Sequence, residues 1–145
     1  MSNIKQLIFT STPIGLEPGR SGYCTVARSQ DLSKKEILEL IEFAKNFKLE
    51  DGSFRKENLF PDKTVANVFC EPSTRTKSSF EIAAKNLGCS VVGFDISNSS
   101  VEKGESIYET VDALSLMGVN LCVLRHPESV IRDLSEYLPE MVFIN

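Results

Sequence analysis

The chain has a single histidine, and its four cysteines, Cys24, Cys70, Cys89 and Cys122, include no CxxC pair. A zinc or other transition-metal site therefore has no ligand set to draw on. The same scatter reads the cysteines as reduced, small hydrophobes of a core, three of them in or beside strand-like runs. Neither a Gly-x-Gly-x-x-Gly string nor a Walker lysine loop occurs, so dinucleotide and P-loop chemistry lack support. No apolar run approaches bilayer-spanning length, and the N-terminus has no basic region leading into an apolar stretch. The expectation is a soluble, unprocessed, cytoplasmic protein with no membrane partner. An excess of basic charge is missing as well. With 16 Lys and Arg against 20 Asp and Glu the net charge is −4, which argues against a nucleic-acid surface. Any anion site must be local.

What is present is ordinary globular material. At 145 residues, 41% hydrophobic and 25% charged, the chain can bury the core of one domain. Residues 31–48 read as an amphipathic helix: Ser33 and Glu36 make a capping-box pattern, and Ile37, Leu40, Ile41, Ala44 and Phe47 form an apolar stripe for packing. A polar connection, Asp51 to Asp62, leads into a regular alternation. Strand 64–70, helix 75–87, strand 90–94, helix 104–117, strand 119–124, helix 128–137 and strand 141–144 follow one another. That order predicts an α/β, three-layer domain with a central four-stranded parallel sheet and helices on both faces.

The segment Phe69-Cys70-Glu71-Pro72-Ser73-Thr74-Arg75-Thr76 joins the first of these strands to a helix whose apolar face is Phe80, Ala83, Ala84 and Leu87, with Gly88 placed to stop it. Free amide N–H groups and the positive end of the helix dipole favour an anion there. Ser73, Thr74 and Thr76 add donors, and Arg75 adds a two-pronged cation. The plainer alternative is that Ser73 or Thr74 only caps the helix. In open parallel sheets ligands bind beyond the carboxyl ends of strands, so Ser73 to Thr76, the loop after Phe94, and Arg125 after the third strand should share one edge. In isolation, Ser99-Ser100-Val101-Glu102-Lys103-Gly104 is a solvated turn. Arg125-His126-Pro127 is likewise a strand-to-helix turn, with Pro127 suited to the first helical position.

Ser-Thr-Arg-Thr, preceded by Phe-x-Glu and followed by Ser-Phe-Glu, resembles the carbamoyl phosphate signature of the aspartate and ornithine carbamoyltransferases. The resemblance covers about residues 31–145, the first half of the usual enzyme. Lys77 stands where an arginine is often found, at a position expected to point along the helix with little functional cost. The resemblance implies that Ser73, Thr74, Arg75, Thr76 and Arg125 bind carbamoyl phosphate. Arg75, Thr76, Lys103 and Arg125 would carry catalysis, with Thr76 on the carbonyl oxygen. It also implies that Ser100 and Lys103 lie on a loop reaching a neighbouring subunit of a homotrimer, with Ser99 an alternative for the serine. On its own Glu71 reads as a carboxylate paired with a nearby cation, whereas the resemblance implies that it bridges to basic groups of a second domain and holds the closed form. His126 matches no catalytic histidine of the family and is read as structural.

Arg-His-Pro and Lys-Gly-Glu look more like the aspartate branch than the ornithine branch. The implied reaction is transfer of the carbamoyl group from carbamoyl phosphate to the α-amino group of L-aspartate in pyrimidine biosynthesis, without a cofactor. The chain alone would bind but not turn over, because the amino-acid-binding domain is absent from it. Ornithine carbamoyltransferase and a truncated, non-catalytic binding or assembly paralogue are the alternatives, and a regulatory or second-domain chain is an open partner. Residues 1–30 do not match this family. Phe9 to Ser29 instead bears a short resemblance to the start of a bacterial GTPase-associated protein family, and no function is assigned to it.

Overall fold

A computed structural model of the chain describes residues 32–96 and 106–145. Among these the elements are α1 (Lys34–Lys45), β1 (Thr64–Phe69), α2 (Thr74–Asn86), β2 (Ser90–Asp95), α3 (Ile107–Leu116), β3 (Leu121–Arg125), α4 (Ile131–Tyr137) and β4 (Val142–Ile144). The strands form one parallel sheet in the order β2-β1-β3-β4. Strands buried on both faces need apolar residues at every position, which is why Val65 to Phe69 and Leu121 to Leu124 read as near-continuous apolar runs.

The two faces build two cores. Ala66, Val68, Cys122, Leu124 and Phe143 pack with Val111 and Leu114 of α3 and Ile131 and Leu134 of α4. Val65, Phe69, Leu121, Val123 and Val142 pack with Ala84 of α2. Helices thus cover both sides of the sheet, as the alternation predicts. The chain runs outward from β1 to β2, then returns across β1 to β3 and β4. The direction of winding reverses between β1 and β3, and at such a reversal the carboxyl ends of adjacent strands open a crevice.

Three local outcomes differ from the sequence reading or sharpen it. The capping box of α1 forms, with Ser33 N donating to Glu36 Oε2 at 2.7 Å and Glu36 N to Ser33 Oγ at 3.3 Å. Its apolar stripe is only partly used, however. No residue of α1 is fully buried and Ile41 is 52% exposed, because α1 meets α2 across an open apolar cleft instead of lying on the sheet. The last helix begins at Ile131 rather than 128, leaving Pro127 in the preceding bend. There the Glu128 amide donates to His126 Nδ1 at 3.0 Å, so it is engaged locally and does not enter a helical ladder. Gly88 does end α2, with φ 87°, and the 57–60 segment closes over that end as Glu57 N donates to Asn86 O and Leu59 N and Phe60 N to Leu87 O.

No helix among the described residues is long and apolar enough to cross a membrane. Cys70, Cys89 and Cys122 are free thiols, and the latter two are buried.

Candidate active site

The register brings Phe69, the last residue of β1, beside Arg125, the last residue of β3. Cys70 N donates to Arg125 O at 2.9 Å and carries the pairing one residue further. The Arg125 side chain therefore leaves the sheet where the chain turns from β1 into α2. Its Nε donates to Glu71 Oε2 at 3.1 Å and its Nη1 to Ser73 Oγ at 3.3 Å. Both members of the ion pair are a little under half exposed, at 46% and 42%, so the pair faces water and is open to competition.

Ser73 occupies the N-cap position of α2, yet its side chain makes no cap hydrogen bond. Its hydroxyl accepts from Arg125 instead, which rejects the plain capping reading for Ser73. α1 and α3 start differently. Each has a full capping box, with a glutamate in the first turn. These carboxylates, Glu36 and Glu109, are held below the usual range by hydrogen bonds from Ser33 and Ser106. α2 has neither a side-chain cap nor an acidic residue in its first turn. The amides at its start are unmatched by any helical carbonyl, and no nearby carboxylate within that turn offsets the dipole.

A cavity of about 410 Å³ opens at this edge, with Glu71, Thr76, Arg125, His126 and Asn145 around Phe69, Phe80, Val123 and Leu124. His126 Nδ1 accepts from the Glu128 amide, so in the neutral ring the proton sits on Nε2. Thr74 and Arg75 lie in the first turn of α2, both exposed, beside the cavity and outside its lining. Lys77, one helical turn on, does not simply run along the helix: its Cε and Nζ lie 3.5 and 3.8 Å from where a Cβ at Gly93 would stand, so the missing side chain on β2 makes room for it. The thiol of Cys70 is pushed up first by burial and then by the Glu71 charge. That of Cys122 is pushed up to about 12, again mainly by burial. Neither offers a thiolate near neutral pH.

Of the residues singled out from sequence, Glu71, Ser73, Thr76 and Arg125 are brought together, with Thr74 and Arg75 adjoining. Ser100 and Lys103, with Ser99, lie outside the described residues. The reading of Glu71 as a carboxylate paired with a nearby cation holds, with Arg125 as the cation that the sequence did not name. Sequence reasoning missed His126 and Asn145 as cavity walls and Asn67 as a polar group inside β1. For Asn67 the signal was available: one amide stands within the apolar run 65–69.

The chain is similar to known proteins in sequence and in fold. Residues 25–145 match the family described as aspartate/ornithine carbamoyltransferase, carbamoyl-P binding domain. Residues 3–46 also match a second family, the GTPase-associated protein 1 N-terminal domain, type 2, which overlaps α1. The aspartate carbamoyltransferase catalytic subunit of Campylobacter concisus is 48% identical over 102 residues, 70% of this chain and 33% of that protein. Its Staphylococcus carnosus counterpart is 47% identical over 100 residues, 69% of this chain and 32% of that one. The chain thus spans about a third of the length of the curated relatives it matches. Among solved structures, the catalytic subunit of M. jannaschii aspartate transcarbamoylase superposes with a TM-score of 0.72 at 38% identity, covering 83% of this chain and 40% of that one. The Trypanosoma cruzi enzyme in complex with carbamoyl aspartate and phosphate gives 0.70 at 29% identity, covering 83% and 39%.

Proposed function

Since the chain belongs to the aspartate/ornithine carbamoyltransferase family through its carbamoyl-phosphate-binding domain, we propose that it is the carbamoyl phosphate-binding part of an aspartate carbamoyltransferase. The observation that carries this reading is the convergence of Arg125 on Ser73 and Glu71 at the start of an uncapped helix, beside a cavity that Thr76 also lines.

The amides at the start of α2, with Ser73, Thr74 and Arg75, bind the phosphate dianion. Thr76 donates to the carbamoyl carbonyl oxygen. Arg125 leaves Glu71 to join the ligand, and its guanidinium fork suits the anion's oxygens. When the α-amino group of L-aspartate attacks the carbamoyl carbon, that carbonyl oxygen gains negative charge before phosphate leaves. Donors already fixed around it stabilise the charge with little reorganisation. Ser100 and Lys103 complete the site from a neighbouring subunit of a homotrimer, and Glu71 turns to basic groups of a second domain on closure. The setting is cytoplasmic pyrimidine synthesis.

With about a third of the relatives' length, the chain by itself binds carbamoyl phosphate without appreciable transfer. A thermal-shift titration with carbamoyl phosphate and a radiochemical assay for carbamoyl aspartate test both halves of the proposal. Stabilisation without product supports it. Absence of stabilisation contradicts the binding role, and robust product formation contradicts the non-catalytic reading of the isolated chain.

A further inference from the structure

Asn67 is the one buried polar side chain among the described residues, 1% exposed at the middle of β1. It is flanked in the sheet by Gly93 of β2 and Val123 of β3. Strand alternation puts it on the face of Val65 and Phe69, under α2. Its Nδ2 donates to Lys77 O in the second turn of that helix, at a long 3.4 Å, and its Oδ1 has no hydrogen-bond partner. Flipping the amide would not relieve this, because a main-chain carbonyl can only accept; the nitrogen must face Lys77 and the oxygen stays orphaned. A buried carbonyl without a partner is destabilising, and leucine, with nearly the same shape, would avoid the loss. On stability alone an amide is the wrong residue here.

We infer that Asn67 is a positioning residue for the anion site, tying the start of α2 to the centre of the sheet. The connections run without a break. Asn67 Nδ2 donates to Lys77 O, Lys77 N donates to Ser73 O at 3.0 Å, and Ser73 Oγ accepts from Arg125 Nη1. Apolar packing alone lets a helix slide or turn on a sheet, whereas a single polar contact inside that interface selects one placement. Because Ser73 does not cap α2 with its side chain, the first-turn amides keep no side-chain acceptor, and the buried tie to Lys77 O fixes the helix that carries them. It sets where the amides of Thr74 to Thr76 stand relative to Arg125. Lys77 keeps its helical partner if the amide is removed, so the change loosens the helix start without stranding a second group.

The inference rests on the functional reading above, and its test separates the two. Asn67→Leu and, as a smaller strand-favouring alternative, Asn67→Val are made in the full 145-residue chain. Melting temperature and carbamoyl phosphate affinity by calorimetry are measured for each. The expected result is a melting temperature equal to or above wild type together with an affinity about tenfold weaker, since small displacements of positioned groups are costly. A group that merely fills the core would move both quantities the same way. A variant that keeps the wild-type melting temperature and binds as tightly as wild type overturns the inference alone, as does a loss of affinity confined to variants that melt earlier. A wild-type chain that does not bind carbamoyl phosphate overturns the functional reading and the inference with it.

Discussion

Arg125 Nε donates to Glu71 Oε2 at 3.1 Å, joining the end of β3 to the turn that follows β1. The cation best placed to receive an anion at this edge is therefore already engaged by a carboxylate of the same cavity.

A dianion entering the cavity must displace Glu71 from Arg125 and tolerate the carboxylate nearby. Glu71→Gln removes both obstacles, and carbamoyl phosphate should bind the isolated chain about fivefold more tightly, equivalent to about 1 kcal/mol for a half-exposed pair. Calorimetry at low and high salt checks this. The gain should shrink at high salt, where exposed charges are screened. Unchanged or weaker binding would mean that Glu71 does not compete for the guanidinium.

Gly88 and Gly52 separate conformational cost from steric cost. Both have positive φ, 87° and 84°, but a Cβ at Gly88 would stand 2.6 Å from Asn58 Oδ1 and 3.1 Å from Asn58 Cα, whereas one at Gly52 meets nothing within 4 Å. Gly52→Ala should cost about 1 kcal/mol, the left-handed penalty alone. Gly88→Ala should cost roughly 2 kcal/mol or more, because the 57–60 segment must also shift. Urea denaturation of the two variants makes the comparison, and equal losses would refute the packing role of the 57–60 segment.

Acid should act unevenly on the helix starts. Glu36 and Glu109 are depressed by their capping boxes, so the support they give is present above the ordinary glutamate value of about 4.3. It is lost as pH falls through their lower folded values. α2 has no such carboxylate in its first turn. NMR titration should find both glutamates titrating below about 4.3, with amides at the starts of α1 and α3 responding over the same range. Ordinary titration of both would contradict the caps.

The alternation of strands and helices was legible because doubly buried parallel strands need apolar runs and the covering helices need one apolar face. Strand order was not. Nothing in Val65 to Phe69 or Leu121 to Leu124 says which strand is the neighbour, so the reversal between β1 and β3 emerges only from pairing. The polar junction between β1 and α2 was legible because Ser73 to Thr76 carry their donors in one short string between an apolar run and a helical face. The helix at 131 began later than expected because the His126 ring accepts the Glu128 amide, a local choice that periodicity cannot see. α1 was legible as an amphipathic packing helix, but not that its stripe stays half open, since a stripe shows what a helix can bury and not what lies against it. That Arg125 is the cation paired with Glu71 was not legible for a similar reason: the two are far apart in sequence and meet only through the β1–β3 register.

The central claim is that Arg125 and the start of α2 form one site for carbamoyl phosphate. Calorimetric titration of carbamoyl phosphate into the wild-type chain and into Arg125→Ala tests it most directly, with Arg75→Ala alongside. Wild type should bind. Each variant should lose about 1.5–3 kcal/mol, the usual loss for a charge-assisted contact, and Arg125→Ala should change stability by less than about 1 kcal/mol. A wild-type chain that binds while Arg125→Ala binds just as tightly would contradict the shared site.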